Sequence, residues 1–169
     1  QPVVARPLAD DRYEILSGER RWRAAQMAGL DHVPVVIKDV SDEAAIAIGL
    51  IENIQREDLN PVEEGLGLKR LQDEFGLSQE QVAEAVGRSR SAVANLLRLL
   101  TLESEVLGML ERSELDAGHA KVLLALSGGD QVRAARNVSK RQLSVRQTEV
   151  LVRGWGMKVT PDAPVDPNI

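Results

Sequence analysis

The stretch that decides the fold lies at residues 76–100 and reads GLSQEQVAEAVGRSRSAVANLLRLL. Its first half predicts a helix capped by Ser78, whose hydroxyl can accept a hydrogen bond from the first helical turn. Gly87 suits a short turn that ends this helix, and the small Ala83 permits a close crossing with the next one. Val93 would bury the second helix against the first. This order of elements is typical of a helix-turn-helix, although a plain helical hairpin without a DNA role stays open.

The second helix of this motif begins with short and cationic side chains, at the end that enters the major groove in helix-turn-helix proteins. Arg90 can bind O6 and N7 of a guanine with two hydrogen bonds. Asn95 can reach a base or a phosphate, and Arg98, further along the helix, suits a phosphate. Residues 87–102 contain no acidic side chain. The residues expected to contact DNA here are Arg88, Ser89, Arg90, Ser91, Asn95 and Arg98.

Charge is divided unevenly along the chain, whose net value is −5. Residues 1–77 carry nine Lys or Arg and fifteen Asp or Glu, whereas residues 78–153 carry eleven and nine. Within 127–148, five basic side chains stand against Asp130 alone. Because a local positive patch matters more for phosphate contact than the charge of the whole chain, the second half favours nucleic-acid binding. Ordinary solvated helix faces remain an equal explanation of the charge by itself.

The composition excludes several classes of protein. The chain has 169 residues, 43% of them hydrophobic and 28% charged, which suits one ordinary globular domain or two small ones. It contains no Cys and two His, so disulfide scaffolds, thiol catalysis and Cys/His zinc sites are excluded. Aromatic residues make up 2%, too few for base-stacking platforms. No apolar run reaches the ~18–20 residues of a membrane span, and we expect a cytoplasmic protein.

The first sixty residues alternate short β-branched runs with helical stretches. They predict strands at 3–6, 13–17 and 33–40 and helices at 19–28 and 41–56. The expected inward stripes are Trp22, Ala25 and Met27 or Ala28 on the first helix, and Ile46, Leu50 and Ile54 on the second. From Asn60 onward, where a cap precedes a proline at the first helical position, every segment is helical in pattern. The predicted helices there cover 61–75, 79–86, 89–100, 103–112, 116–126, 129–138 and 144–153.

Together these patterns predict an α+β protein with two domains and a tail. We expect a small α/β domain at residues 1–60 and an all-helical domain at 61–153, with the helix-turn-helix at 78–100. Residues 154–169 contain three prolines and no periodicity, which predicts a linker or tail.

The segment GERRWR at residues 18–23 is a candidate phosphate-binding cradle at a strand-to-helix junction. A helix start offers free N–H groups and the positive end of its dipole, and Gly18 lets a phosphate approach closely. The consecutive Arg20 and Arg21 add paired donors for phosphate oxygens. No Walker A lysine pattern is present. The alternative is that these arginines only pair with Glu19 and nearby carboxylates at the surface.

A second candidate segment, ENIQR at residues 52–56, ends the second predicted helix. Glu52 and Asn53 offer the hard oxygen ligands that Mg²⁺ prefers, and Arg56 could bind the phosphate that carries the ion. The two segments together predict a site for a phosphorylated ligand and Mg²⁺.

The sequence closely resembles the ParB family of chromosome and plasmid partition proteins. The resemblance runs from the opening QPVVAR almost to Trp155, with several motifs in the family's order. The other motifs that carry it are GERRWR at 18–23, ENIQR at 52–56, NPVEE at 60–64, the segment 87–100, GHAK at 118–121 and SVRQTE at 144–149.

The resemblance implies a function that composition could not show. Family members bind a palindromic centromere-like DNA site, parS, through the helix-turn-helix and the helices after it. Their N-terminal domain binds CTP with Mg²⁺ and hydrolyses it slowly. CTP and parS together drive self-association of the N-terminal domains, which closes a clamp that slides along double-stranded DNA. The resemblance also implies that the full-length protein would have a ParA-type ATPase as partner and would be associated with the nucleoid.

The resemblance also implies roles for single residues. Glu52 would assist hydrolysis of CTP. Arg56 would contact phosphate or the partner subunit, and His119 is expected to be structural or to contact phosphate, whereas His32 is expected at the surface. The nucleotide site would include Gly18, Glu19, Arg20, Arg21, Asn53, Gln55 and Arg56, with Asn53 and Glu52 on Mg²⁺. The parS site would be contacted by Arg90 with Ser89, Ser91 and Asn95, supported by Lys121 and Arg146.

Two departures from the family pattern leave alternatives open. The family's ParA-stimulating extension, the arginine-bearing box and helix before the opening strand, and the C-terminal dimerisation domain are not in this sequence. We therefore expect a fragment truncated at both ends. One alternative is a nucleoid-occlusion paralogue, which differs in its DNA site and membrane attachment. Another is a simple helix-turn-helix repressor without a nucleotide switch, and a third, a kinase or reductase on a related fold, is disfavoured by the appended helix-turn-helix.

Overall fold

The computed structural model describes residues 1–155, and the rest of the predicted tail lies outside them. Within those residues it contains three strands and nine helices, so the expected α+β class is confirmed, and element ends fall within three residues of prediction. No helix in this part of the chain has both the length and the apolar character to span a membrane. The elements are β1 (Val3–Pro7), β2 (Tyr13–Ser17), α1 (Glu19–Met27), β3 (Val35–Ile37), α2 (Asp42–Ile54), α3 (Pro61–Phe75), α4 (Gln79–Val86), α5 (Arg90–Leu99), α6 (Ser104–Glu111), α7 (Ala117–Leu123), α8 (Gly128–Arg141) and α9 (Val145–Trp155).

β1 is the central strand of the sheet, whose order is β2-β1-β3. It pairs antiparallel with β2 and parallel with β3, and a shift in the first ladder falls between Val4 and Ala5. One face of the sheet forms an open apolar groove. In it, Val3 and Ala5 are buried, but Tyr13 and Ile37 are 60% and 51% exposed. The groove has a volume of about 370 Å³. It is lined by Val3, Ala5, Tyr13, Ile15, Trp22, Val33, Val35 and Ile37.

The predicted inward stripes are wrong at several positions. On α1, Ala25 is buried, whereas Trp22, Met27 and Ala28 are exposed. On α2, Ile46 is exposed as well. These residues have the periodicity of a buried face. A small sheet, however, covers only a narrow part of the circumference of a helix that packs on it. β3 is also shorter than predicted, since its ladder with β1 holds three residue pairs.

By backbone contacts the chain divides into two compact units. The first comprises residues 1–59 and 67–93, and the second comprises residues 60–66 and the chain from Ala94 onward. The two later boundaries fall inside helices, α3 and α5. The domain boundary that the sequence suggests near residue 60 stays a prediction.

The helical part of the first unit contains the first half of the helix-turn-helix. Ser78 caps α4: its Oγ accepts from the amide of Gln81 at 3.2 Å, and the Gln81 side chain accepts from the amide of Ser78 at 2.9 Å. Gly87 ends α4 in the left-handed region at φ 69°. The motif therefore forms from the elements that the sequence predicts. The buried side chains here are Leu68, Leu71, Val82, Ala83, Val86 and Val93.

The second unit has a continuous apolar core with one satisfied polar residue. Gln131 is 3% exposed; its Oε1 accepts from the amide of Glu103, and its Nε2 donates to the carbonyls of Leu123 and Leu126. These bonds offset the cost of burying an amide. α9 runs two residues past its predicted end because Trp155 packs against this core. The core residues are Val62, Leu99, Leu102, Val106, Met109, Leu110, Leu115, Ala120, Leu123, Ala134, Ala135 and Val138.

Candidate functional site

A pocket of about 310 Å³ lies in the first unit, where α1 begins and the last turns of α2 pass. Arg20 enters it from α1, and Glu52, Asn53 and Arg56 enter it from the end of α2 and the residues just after. The last three lie within about one helical turn, which places them on one side of the chain. With Glu19, which also lines the pocket, two cations thus meet two carboxylates and an amide in one concave site. The lining residues are Ile15, Leu16, Ser17, Glu19, Arg20, Gly49, Glu52, Asn53 and Arg56.

Gly18 connects β2 to α1 in a left-handed conformation, at φ 92°. A side chain there would be strained, and its Cβ would lie 3.3 Å from the Cα of Val3 and 3.2 Å from Nη2 of Arg21. The Gly18 N–H donates to Oε1 of Glu52 at 3.0 Å. The Glu52 carboxylate therefore holds an amide at the start of α1, the type of donor that phosphate oxygens use.

Two expected members of the site point elsewhere. Nη1 of Arg21 donates to the carbonyl oxygens of Gln1 at 2.5 Å and Pro2 at 2.8 Å. Nε2 of Gln55 donates to the carbonyl oxygen of Val86, at the end of α4, at 3.4 Å. Neither residue lines the pocket. In this structure Arg21 braces the start of β1 and Gln55 links α2 to α4, so their roles toward a nucleotide stay predictions.

Asp58 is a neighbour of the site that the sequence reasoning missed. Its two oxygens accept from Nε and Nη2 of Arg56 at 3.0 and 2.7 Å. The hydrogen bond from Arg56 is the main reason that the pKa of Asp58 is lowered, and the charge of Arg20 lowers this pKa further. A carboxylate two residues after a candidate phosphate-binding arginine is the signal that could have identified it. A carboxylate here engages donors of Arg56 that suit a phosphate.

One arginine of the GERRWR segment, Arg23, forms the surface ion pair that was the alternative to phosphate binding. Nη2 of Arg23 lies 2.6 Å from Oε1 of Glu19, and both side chains are exposed. Such a pair contributes little. The three arginines therefore differ in place: Arg20 lines the pocket, Arg21 braces β1, and Arg23 pairs at the surface.

Oxygen ligands for a hard cation are few. Among residues 1–155, no three His, Asp or Glu side chains cluster so that they could hold a metal ion. Glu52 supplies two side-chain oxygens and Asn53 one on the pocket wall. His32 is exposed as expected. Mg²⁺ keeps several waters and binds through one or two carboxylates together with substrate phosphates. The donors present fit a Mg²⁺ that arrives with phosphate, not a site built from protein alone.

The start of α5 is capped by the segment expected to meet DNA. Oγ of Ser89 accepts from the amide of Ala92 at 3.2 Å and lies 3.1 Å from Oγ of Ser91. The first turn of α5 carries Arg90 and no acidic residue. Ser89 is therefore an N-cap as well as a candidate DNA contact. The exposed members of the expected set are Arg88, Ser89, Arg90, Ser91 and Arg98, whereas Asn95 is half-buried.

The GHAK segment combines a structural histidine with an exposed lysine. Asp116 caps α7 by accepting from the amide of His119 at 2.9 Å. Nε2 of His119 lies 2.8 Å from the carbonyl oxygen of Leu143, so this nitrogen carries the proton and donates. His119 thus joins α7 to Leu143, two residues before α9 begins. Lys121 and Arg146 are exposed, and their contact with DNA stays a prediction.

Two family models together cover nearly the whole chain. The ParB N-terminal domain matches residues 1–54, and the ParB HTH domain matches residues 57–156. The chain belongs to the ParB family. A "probable chromosome-partitioning protein ParB" of Pseudomonas putida is 58% identical over 168 residues, which are 99% of this chain and 57% of that protein. The chain therefore spans little more than half the length of this ParB relative.

Two solved ParB structures have the same fold. The C-terminally truncated ParB from Caulobacter crescentus, complexed to the centromeric parS site, is 48% identical and matches with a TM-score of 0.84 over 90% of this chain and 82% of that one. The DNA-binding domain of a chromosome-partitioning ParB, also complexed to parS, is 42% identical and matches with a TM-score of 0.57 over 75% and 98%. These matches confirm the ParB fold predicted from the motifs.

Proposed function

We propose that this chain is part of a chromosome-partitioning protein that binds a parS-type DNA site through α4 and α5 and binds CTP with Mg²⁺ at the α1–α2 pocket. The names of the Pseudomonas and Caulobacter relatives, and the parS complexes of the solved ones, support the DNA half. One observation carries the nucleotide half. The pocket gathers Arg20, Glu52, Asn53 and Arg56 from segments far apart in sequence.

In this proposal, Arg20 and Arg56 bind phosphate oxygens with charge-assisted hydrogen bonds. The Gly18 amide turns to the same phosphate once Glu52 has released it. Asn53 and Glu52 would hold Mg²⁺ as oxygen ligands, and the ion would neutralise phosphate charge when bound. After releasing the Gly18 amide, Glu52 would accept a proton from the water whose oxygen bonds to the terminal phosphorus of CTP. The bond from that phosphorus to the bridging oxygen breaks, and CDP leaves with its electrons in this slow hydrolysis to CDP and phosphate.

Three further residues complete the proposed nucleotide site. Glu19 lines the pocket. Arg21 reaches a phosphate only after releasing two backbone carbonyls, and Gln55 only after releasing the end of α4. In this proposal, nucleotide binding therefore requires both Arg21 and Gln55 to give up the backbone carbonyls that they now bind. Such a rearrangement is consistent with a slow switch.

On the DNA side, Arg90 reads a guanine edge in the major groove while its serine and arginine neighbours contact phosphates. Lys121 and Arg146 extend the contact to later helices. A palindromic site requires two copies of the chain, so self-association through the N-terminal domain is part of the proposal. The complete protein would then act as a CTP-dependent sliding clamp on nucleoid DNA and engage a ParA-type ATPase.

Calorimetry with CTP, ATP, GTP and UTP in Mg²⁺, each with and without a parS duplex, tests the nucleotide half. We expect selective binding of CTP. Arg20→Ala should weaken it by about tenfold or more, since a charge-assisted phosphate contact is lost. Arg70→Ala, which removes a positive charge paired with Glu74 on α3 and outside the pocket, is the matched control and should change it less than about twofold. No binding of any nucleotide, with parS still bound, would contradict this half and favour a simple repressor.

The DNA half is tested by titrating a parS duplex and a scrambled duplex. Arg90→Ala should cost about 1–3 kcal/mol of parS binding and reduce the preference over the scrambled duplex. Arg112→Ala removes a charge that is paired with Glu114 and serves as the control. Unchanged parS affinity in the Arg90 variant would exclude it as a base-reading residue.

A further inference from the structure

α3 contains a glycine, Gly67, at a position where the neighbouring Ile54 leaves no room for a side chain. Glycine inside a helix is less favourable than alanine, because it loses more backbone freedom on folding. At Gly67, however, a Cβ would lie 2.6 Å from Cγ1 and 3.1 Å from Cδ1 of Ile54. Ile54 is 3% exposed, so its side chain is enclosed by the protein and cannot turn out into solvent. The absence of a Cβ at Gly67 therefore lets α2 and α3 approach closely.

Ile54 is the last residue of α2 and lies inside the ENIQR segment. It directly follows Asn53, and Arg56 comes two residues later. Isoleucine is branched at Cβ and stiff in a helix, so it cannot easily turn away from an added methyl group. Ordinary carbon–carbon contact is about 3.5–4.0 Å. An alanine at position 67 would thus displace the end of α2 by about 1 Å.

We propose that Gly67 is a positioning residue for the candidate nucleotide site. It seats the end of α2 on α3 so that Glu52, Asn53 and Arg56 meet the start of α1 in register. The inference rests on the proposed CTP binding. The 3.0 Å bond from the Gly18 amide to Glu52 shows how closely the end of α2 faces the start of α1. A shift of ~1 Å would carry Glu52 and Asn53 out of hydrogen-bond reach of a ligand bound at the start of α1. Misplacement of about 1 Å can cost on the order of 10²-fold in a site built on geometry.

The test compares Gly67→Ala with the wild type by CTP calorimetry in Mg²⁺, at a temperature where circular dichroism finds both fully folded. We expect CTP affinity to fall by about 10- to 100-fold while affinity for a parS duplex stays within about twofold. Helix propensity alone would make the alanine variant more stable and would leave CTP binding unchanged. Wild-type CTP affinity in the folded variant would overturn the inference and leave the proposed function intact. Failure of the wild type to bind CTP would reject the proposed function, and the inference with it.

Gly65→Ala is the matched control in the same helix. Its Cβ would lie 3.0 Å from the carbonyl oxygen of Leu96 and 3.2 Å from Cδ2 of Leu100, both outside the pocket. It should change thermal stability and leave CTP affinity within about twofold. An equal loss of CTP affinity in both glycine variants would indicate general loosening and would contradict the positioning role.

A rescue variant tests the proposal even if Gly67→Ala does not fold. Ile54→Ala removes both atoms that the new methyl group would strike. The double variant Gly67→Ala/Ile54→Ala should therefore bind CTP within about threefold of Ile54→Ala alone. A further tenfold loss in the double variant would overturn the proposal, because no clash remains to explain it.

Discussion

The sheet of the first unit and the helical core of the second bury apolar side chains to very different extents. Val106, Leu123 and Ala134 in the second unit are 0% exposed, whereas Val35 and Ile37 on β3 are 43% and 51% exposed. Helices packed around a common core cover each apolar stripe from several sides, and a three-stranded sheet cannot do so. Apolar packing is therefore weaker around this sheet than in the core of the second unit. The candidate nucleotide site lies at the end of β2 on the more open sheet, where charged groups can exchange partners.

The largest expected effect breaks the apolar core of the second unit. Leu123→Ala should lower the free energy of unfolding by about 2–5 kcal/mol, because it leaves a cavity among fully buried neighbours. Ile37→Ala, the counterpart on the open sheet, should cost less than about 1 kcal/mol. Urea denaturation checks both, with Trp155 fluorescence reporting the second unit and Trp22 the first in single-tryptophan backgrounds. Equal losses would remove the contrast between the two regions.

The next prediction uses two caps, one in each unit. Ser78 on α4 and Asp116 on α7 both form capping boxes with the residue three positions later. Each alanine substitution should cost about 1 kcal/mol, since each leaves an exposed helix start without its acceptor. The same denaturation experiment measures them. A loss confined to one unit would indicate that the two regions differ in cooperativity and not only in packing.

Local signals predicted the fold well because caps and turn residues act within a few positions of the chain. Ser78 and Gly87 take the conformations that their residue types favour. Burial depends on distant partners, and there the sequence failed: Met27 has the right periodicity but is 91% exposed. The end of α9 at Trp155 was missed for the same reason, since a contact with the core extends it beyond Gly154.

The sequence predicted which two segments form the candidate site, but it did not predict which side chains contact each other there. Arg20 and Glu52 meet in one pocket, as their two motifs suggest. Sequence spacing could not reveal that Arg21 turns to the carbonyls of β1, because that depends on where the strand passes. It could not reveal that Asp58 accepts from Arg56 either, since the pairing depends on a turn after α2.

The ion pair between Arg56 and Asp58 tests whether charged groups at the candidate nucleotide site can exchange partners. Asp58→Asn should raise affinity for CTP with Mg²⁺ by about two- to fivefold, because a phosphate no longer competes with a carboxylate for Arg56. Asp73→Asn removes the same charge from a pair with Lys69 on α3 and is the control. Calorimetry at two salt concentrations separates the local effect from the change in net charge. Equal gains in both variants would assign the effect to net charge alone.

The smallest expected effect concerns pH and the end of the second unit. The indole N–H of Trp155, first, and Arg133, second, lower the pKa of Asp130 by hydrogen bonding to its carboxylate. A carboxyl with a lowered pKa in the folded state stabilises the fold fully above its unfolded pKa of about 3.9, and this contribution is lost as the pH falls through the folded value. In a Trp22→Phe background, the emission of Trp155 should therefore change below about pH 4, and Asp130→Asn should remove that acid transition. A transition that persists unchanged in the asparagine variant would mean that the apolar contacts of Trp155, and not the Asp130 carboxylate, hold the end of α9.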